Sequence, residues 1–201
     1  MSIAKDGYPF ILPIAGLGIV ALVVGWTGVG IIVLGFSAFI AFFFRDPERV
    51  FTGTARQIAS PADGRVVSVR KDAAGEALSI FLSVFDVHVN RAPTSGTITD
   101  IEYRKGKFLA AFGELASTEN EQNIISIDHE GLAVRFAQIA GVVARRIVCW
   151  RRKGEVLAVG DRIGLIKFGS RVDVFLPGGS RILVEKGQRV KAGETVIGEL
   201  P

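Results

Sequence analysis

The 201 residues carry a formal net charge of only +4, and their basic side chains fall in small groups: Arg70 and Lys71; Arg104, Lys105 and Lys107; Arg145 and Arg146; Arg151, Arg152 and Lys153. No basic tract or basic–aromatic pattern marks a nucleic-acid surface, and anionic lipid headgroups are the better-matched partner for such groups. Cys149 is the single cysteine, which excludes an intrachain disulfide and a cysteine-built metal cluster; no zinc-like spacing appears, so no metal is expected.

Residues 10–44 contain no charged side chain and are rich in Ile, Leu, Val, Phe and Ala, a membrane signal. As one continuous helix this stretch would run about 52 Å at 1.5 Å per residue, against a hydrocarbon core of about 30 Å. The tetrad Gly25, Trp26, Thr27, Gly28 interrupts it near the middle. That break predicts two short hydrophobic helices, about 9–24 and 29–44, folded as a hairpin that crosses or dips into the bilayer. The competing reading is a buried helix pair in a soluble protein, disfavoured because the strand-like remainder of the chain offers little to cover it. Arg45, Arg49 and Arg56 follow the run, whereas Lys5 beside Asp6 precedes it. Positive residues stay inside, so the following domain is expected on the cytoplasmic side of the cell membrane, and a two-span hairpin returns the N-terminus there. No small-residue processing site closes the run before Arg45, as a signal peptide would require. The expected organisation is an anchor over 1–50 and a compact domain over 51–201.

Beyond Arg45, Asp46, Pro47 and Glu48 the chain becomes a series of short apolar runs punctuated by glycine, a mainly β pattern. Strands are predicted over 65–70, 77–82, 96–103, 123–129, 133–139, 145–150, 164–168, 171–176, 181–184 and 195–200, with a short turn at 85–89 and almost no soluble helix. The phrase Ser60–Pro61–Ala62–Asp63–Gly64 is echoed at Ala92–Pro93–Thr94–Ser95–Gly96, each a proline turn, a glycine and then a strand. The closing segment VEKGQRVKAGETVIGEL, 184–200, resembles the hammerhead of lipoyl and biotinyl carrier modules, with Gly187 and Gly193 in turns. No lysine stands at the usual modified tip, so the architecture carries over and a swinging arm does not.

The two histidines differ in setting. His88 lies among polar groups in FDVHVNR, while His129 lies in Asp128–His129–Glu130–Gly131, which reads as an exposed turn. His88 is the better candidate for proton exchange near neutral pH, with a structural histidine as the alternative role. Asp63 precedes Gly64 in a tight turn, which turn chemistry alone explains; Asp86, Asp173 and Glu114 are equally ordinary taken singly. Cys149, within the apolar run Ile147–Trp150, reads as packing. Gly169–Ser170 separates two strand-like runs, where a bulge is the common explanation and a strained peptide presenting the serine hydroxyl to the preceding carbonyl is the other.

Four phrases, FFFRDPER at 42–49, SPADGRV at 60–66, FDVHVNRAP at 85–93 and KFGSRVDVFLP at 167–177, in this order and behind this anchor, resemble the short form of phosphatidylserine decarboxylase over nearly the whole chain. The resemblance implies a proenzyme that cuts itself between Gly169 and Ser170, leaving a β chain of residues 1–169 and an α chain of residues 170–201. Attack by the Ser170 hydroxyl on the Gly169 carbonyl gives an ester. Elimination and hydrolysis then turn Ser170 into a covalent pyruvoyl cofactor with loss of ammonia. The same resemblance assigns the base to His88, oriented by Asp63. The mature reaction it implies is decarboxylation of phosphatidylserine in an anionic membrane to phosphatidylethanolamine, through an imine between the pyruvoyl carbonyl and the headgroup amine. It leaves a homodimer open. Longer bacterial members carry a second histidine three residues after the first, where this chain has Arg91, and arginine cannot act as a general base at ordinary pH. His88 therefore serves both maturation and turnover, or Asp63 acts more directly in the first step. Two rivals remain: a pyruvoyl decarboxylase of a soluble amino acid, against which the anchor argues, and a membrane-tethered adaptor on a lipoyl-like module, which needs no cut at 169–170.

Overall fold

A computed structural model describes residues 2–201 apart from 73, 74, 112, 114, 142–145, 168 and 169. The expectations that rest on Glu114, Arg145, Phe168 and Gly169 lie outside the described residues. The chain divides into two compact units, Met1–Glu48 and Arg49–Pro201.

The first unit is a helical hairpin. Strand β1 (Ser2–Ile3) pairs antiparallel with β2 (Arg45–Asp46), and between them run α1 (Tyr8–Val23) and α2 (Thr27–Phe43). The predicted interruption falls where expected, and both helices lie within two residues of their predicted bounds. The helices approach closely at Gly18 and Gly30: a Cβ on Gly30 would collide with the Leu22 side chain, and one on Gly18 would sit 2.8 Å from Leu34 Cγ. Small residues at such crossings let apolar helices pack without a hydrophobic driving force between them. Ser37 Oγ donates to the Ile11 carbonyl across the hairpin at 3.0 Å. Leu12, Leu17, Val23, Ile31, Ile32 and Phe36 remain exposed on the outer faces. The segment Lys5–Val23 is long and apolar enough to cross a membrane; α2 is shorter, about 25 Å at 1.5 Å per residue. Arg45 closes the hairpin with its guanidinium 3.9 Å from the centre of the Phe42 ring.

The second unit is strand-rich. In chain order it holds β3 (Gln57–Ala59), β4 (Gly64–Asp72), β5 (Gly75–Leu82), β6 (Val89–Arg91), β7 (Gly96–Arg104), a single described α-helix α3 (Ala116–Glu119), β8 (Gln122–His129) and β9 (Leu132–Ile139). There follow β10 (Ile147–Cys149), β11 (Val156–Leu157), β12 (Arg162–Ile166), β13 (Ser170–Leu176), β14 (Arg181–Ile182), β15 (Arg189–Val190) and β16 (Val196–Glu199). Eight strands form one antiparallel sheet in the order β11-β7-β8-β9-β13-β5-β4-β15, flanked by two three-stranded sheets, β10-β12-β6 and β14-β16-β3. Alternating side chains from these sheets meet in one core that includes Ile58, Ile80, Ile125, Phe136, Val172 and Val174.

The long predicted strands are present. The short ones β3, β6 and β11 were not expected, since two or three residues carry no readable period, whereas β15 falls between the turns at Gly187 and Gly193, where the hammerhead resemblance implies a strand. Two expectations are corrected. The turn assigned to 85–89 sits earlier, because Val89 already belongs to β6 and the turn closes where Asp86 N donates to the Ser83 carbonyl. His129 is buried rather than exposed: it is the last residue of β8, and its Nδ1 donates to the Ser95 carbonyl at 2.9 Å. The reversal falls on Glu130 and Gly131, both at positive φ (52° and 85°), as a two-residue hairpin of this hand demands.

Strand β13 has two unlike faces. Val172, Val174 and Leu176 point into the core, and Ser170 shares their side by alternation. On the other face Arg171 and Asp173 form a buried ion pair with Nε–Oδ1 at 2.6 Å. Arg171 also donates to Ser79 Oγ and to the Gly113 carbonyl, while Ser117 Oγ donates to Asp173 Oδ2. Removing one partner of such a pair leaves a charge stranded away from water. Asp173→Ala is therefore expected to cost about 3–5 kcal/mol, read as a lower denaturation midpoint; an unchanged midpoint would show that the pair holds nothing together.

Candidate active site

Asp63, His88 and Ser170 stand on connections at one end of the large sheet, two of which leave it side by side. Ser170 opens β13 opposite Leu82, the last residue of β5. Beyond Leu82 the chain runs through 83–88 into β6; before Ser170 it arrives from β12 through 167–169. Strands β6 and β12 are themselves paired, with Val89 opposite Leu165. The connection carrying His88 and the one carrying the Gly169–Ser170 bond therefore join the same two sheets in opposite directions. On the other side of β5, Arg65 is opposite Phe81, which brings Gly64 level with Leu82. Asp63 thus lies at the same sheet end as Ser170, roughly two strand spacings or 10 Å away along the backbone.

Asp63 is held from two directions. Its Oδ2 accepts from Arg49 Nη2 at 3.0 Å and its Oδ1 from the Ala192 amide at 2.8 Å. Arg49 also pairs with Glu194 at 2.9 Å, so the FFFRDPER phrase supplies the cation that neutralises the SPADG carboxylate. His88 is 2% exposed, and its Nδ1 lies 3.0 Å from the Asp86 carbonyl. A carbonyl can only accept, so Nδ1 carries the proton and Nε2 is the basic nitrogen of the neutral ring. Arg91 is buried as well; its guanidinium donates to the Gly160 carbonyl and its amide to the Pro61 carbonyl. It ties the two turns beside the site together.

Ser170 is fully buried, and its hydroxyl oxygen has no hydrogen-bond partner among the described residues. A buried hydroxyl normally finds one. Conversion of Ser170 to a pyruvoyl group would carry this oxygen away on the new carboxylate of residue 169, leave a methyl at Cβ and put the keto oxygen in place of the amide nitrogen; a pocket that offers Oγ no partner and is apolar on that side fits the methyl. Three interior amides lie close by. Asn123 Nδ2 donates to Gln138 Oε1 at 3.0 Å and Gln138 Nε2 to Asn90 Oδ1 at 2.9 Å. Gln138 stands opposite Val172, diagonal to Ser170 on the same face. The sequence reading missed Arg49, Asn90 and Gln138 as parts of this region. Arg49 and Asn90 lay inside the quoted phrases, whereas Gln138 sits in an ordinary alternating strand with no local signal.

The sequence profile that matches the chain, over residues 36–198, is that of phosphatidylserine decarboxylase. The chain belongs to the phosphatidylserine decarboxylase family. It is similar over nearly its whole length to proteins of Symbiobacterium thermophilum (46% identical, covering 99% of this chain and 96% of the relative) and Magnetococcus marinus (44%, 98% and 95%). A protein of Geobacter sulfurreducens is 44% identical, with 99% and 97% covered. All three are named phosphatidylserine decarboxylase proenzyme. Three of the four phrases supply Asp63, His88 and Ser170.

Cys149 touches the edge of this region through Asn123. It lies on β10, partly buried, with its Sγ donating to the Arg151 carbonyl at 3.6 Å, and burial, the largest influence on the thiol, pushes it above the ordinary cysteine value. A raised pKa leaves less thiolate at a given pH. Alkylation of the folded protein at mildly alkaline pH should run slower than for free cysteine and keep rising with pH after the free thiol has levelled off. A rate matching free cysteine would contradict the inert assignment.

Proposed function

We propose that this protein decarboxylates phosphatidylserine to phosphatidylethanolamine and carbon dioxide, using a pyruvoyl group made from its own Ser170 after self-cleavage at the Gly169–Ser170 bond. The observation that carries the reading is the buried, orphaned hydroxyl of Ser170 at the mouth of a strand, in a chain of this family. The Ser170 hydroxyl attacks the Gly169 carbonyl; its proton passes to His88 Nε2, the ring nitrogen left basic by the Asp86 contact. The C–N bond breaks as His88 passes that proton to the Ser170 amine; His88, neutral again, takes the Ser170 Cα proton while the Cβ–O bond breaks and residue 169 leaves as a carboxylate, and water then adds to the resulting dehydroalanine and expels ammonia to leave the carbonyl. A pyruvoyl group supplies a carbonyl that takes up the headgroup amine and draws off the electrons released with carbon dioxide. His88 returns a proton to the carbon that has lost the carboxylate. Asp63, neutralised by Arg49, fixes the turn that faces them.

The helical hairpin serves as the membrane anchor, and the unit Arg49–Pro201 works on the cytoplasmic side, as the basic residues after the apolar run favour. Arg91 stays structural, since its guanidinium cannot exchange protons near neutral pH.

Intact mass and N-terminal analysis of the purified protein test the reading directly: a blocked, pyruvoyl-bearing fragment of residues 170–201 is expected. Ser170→Ala should leave the chain whole and inactive, while Ser170→Cys keeps a nucleophile and should still cut. An uncut, pyruvoyl-free wild-type chain that nevertheless releases carbon dioxide from phosphatidylserine would sink the mechanism.

His88→Ala should slow maturation, turnover or both by a factor of about 10² or more, with the fraction of uncut chain and the lipid conversion measured separately. Normal rates in both assays would remove His88 from the chemistry.

A further inference from the structure

The turn that carries His88 towards Ser170 has an unusual tip. Ser83 N and Ser83 Oγ both donate to Asp86 Oδ2 at 2.8 Å, and Asp86 N donates back to the Ser83 carbonyl at 3.0 Å. This closed loop lifts the two intervening residues outward. Polar residues, glycine or proline normally occupy such positions. Here they are Val84 and Phe85, 39% and 66% exposed. The turn is tied to the site at its other end, through the Asp86 carbonyl that accepts from His88 Nδ1.

Beside the tip two arginines face each other. Arg189 on β15 is directly opposite Arg65 on β4, and like charges in that arrangement repel. Arg189 is 70% exposed and reaches Asp86 Oδ1 at 3.4 Å, which anchors it to the same turn. Arg65 is exposed, donates to the Gly187 carbonyl and makes no ion pair among the described residues. The nearby Glu185 and Lys186 cancel in charge. With Asp86 set against Arg189, Arg65 leaves this edge an apolar point flanked by one unbalanced positive charge. An anion lying between the arginines would relieve their repulsion, and hydrocarbon would accept the tip.

We propose that Val84 and Phe85 insert into the surface of an anionic phospholipid bilayer, with Arg65 and Arg189 on the headgroup phosphates, so that the sheet end holding Ser170 meets its lipid at the membrane. The proposal rests on the lipid substrate proposed above. A bilayer lipid keeps its acyl chains in hydrocarbon while its headgroup travels to a buried serine, so the shortest route runs past whatever touches the membrane beside that serine. The patch combines the two chemistries of a phospholipid surface, in the order in which the surface presents them.

The test uses the full chain with phosphatidylcholine–phosphatidylserine vesicles and, in parallel, a short-chain phosphatidylserine dispersed as monomers. The double variant Val84→Ser, Phe85→Ser should cut itself normally and keep its turnover of the dispersed lipid. Its apparent KM for the vesicle lipid should rise roughly tenfold, the scale set by withdrawing a large apolar side chain from hydrocarbon. Arg65→Gln with Arg189→Gln should weaken the vesicle reaction likewise and flatten its salt dependence. Insertion is read separately by Val84→Trp in a chain with Trp26→Phe and Trp150→Phe: brominated acyl chains should quench its fluorescence. Unchanged vesicle KM in a normally cut double variant, equal loss on both lipids, or no quenching overturns the docking surface. A wild-type chain that never cuts and acts on neither lipid overturns the proposed function instead.

Discussion

Strand β13 is fixed on both sides, and the site depends on that. Seven register pairs bind it to β5 and five to β9; Ser170 itself pairs with Leu82 of β5, and pairing on both flanks begins at Arg171. The peptide bond before Ser170 lies outside these ladders. In a protein that cuts itself there, the new small chain would be retained by these ladders. The pairings of β15 with β4 and of β16 with β3 add to that hold.

The two faces of β13 divide the work. One contributes Val172, Val174 and Leu176 to the apolar core; the other carries the Arg171–Asp173 pair under a cover that includes Gly113 and Ser117. An ion pair at this depth is poor evidence of net stability, but it is specific about register. A one-residue slip of β13 would push the charged pair into the core and turn Ser170 out of it. The pair therefore excludes the registers in which the serine faces outward.

Much of this was legible in the sequence. The helix hairpin was readable because the apolar run is long and the Gly25–Gly28 tetrad breaks it. The long strands were readable because alternation over seven to nine residues leaves a period. The short strands left none, and β6 is built of Val89, Asn90 and Arg91, whose polar side chains are paid for by partners distant in sequence. His129 misled for the same reason: Asp-His-Glu-Gly looks like an exposed loop until the Ser95 carbonyl, far along the chain, removes the histidine from water. Asp63, His88 and Ser170 could be nominated from family phrases. That Arg49 neutralises Asp63, and that the Asp86 carbonyl sets the His88 tautomer, are facts of three-dimensional closure that no local pattern carries.

The complete burial of Ser170 bears on the fate of an amine at that point. A peptide nitrogen is neutral, and the strand accommodates it without cost. A free α-amino group at the same place would be charged near neutral pH, and taking a charge out of water is expensive. Departure of that nitrogen as ammonia, leaving an uncharged carbonyl, removes the penalty. The solvent-free start of β13 thus disfavours a strand that stops at an ordinary amino terminus and favours one that ends in a neutral, electron-withdrawing group.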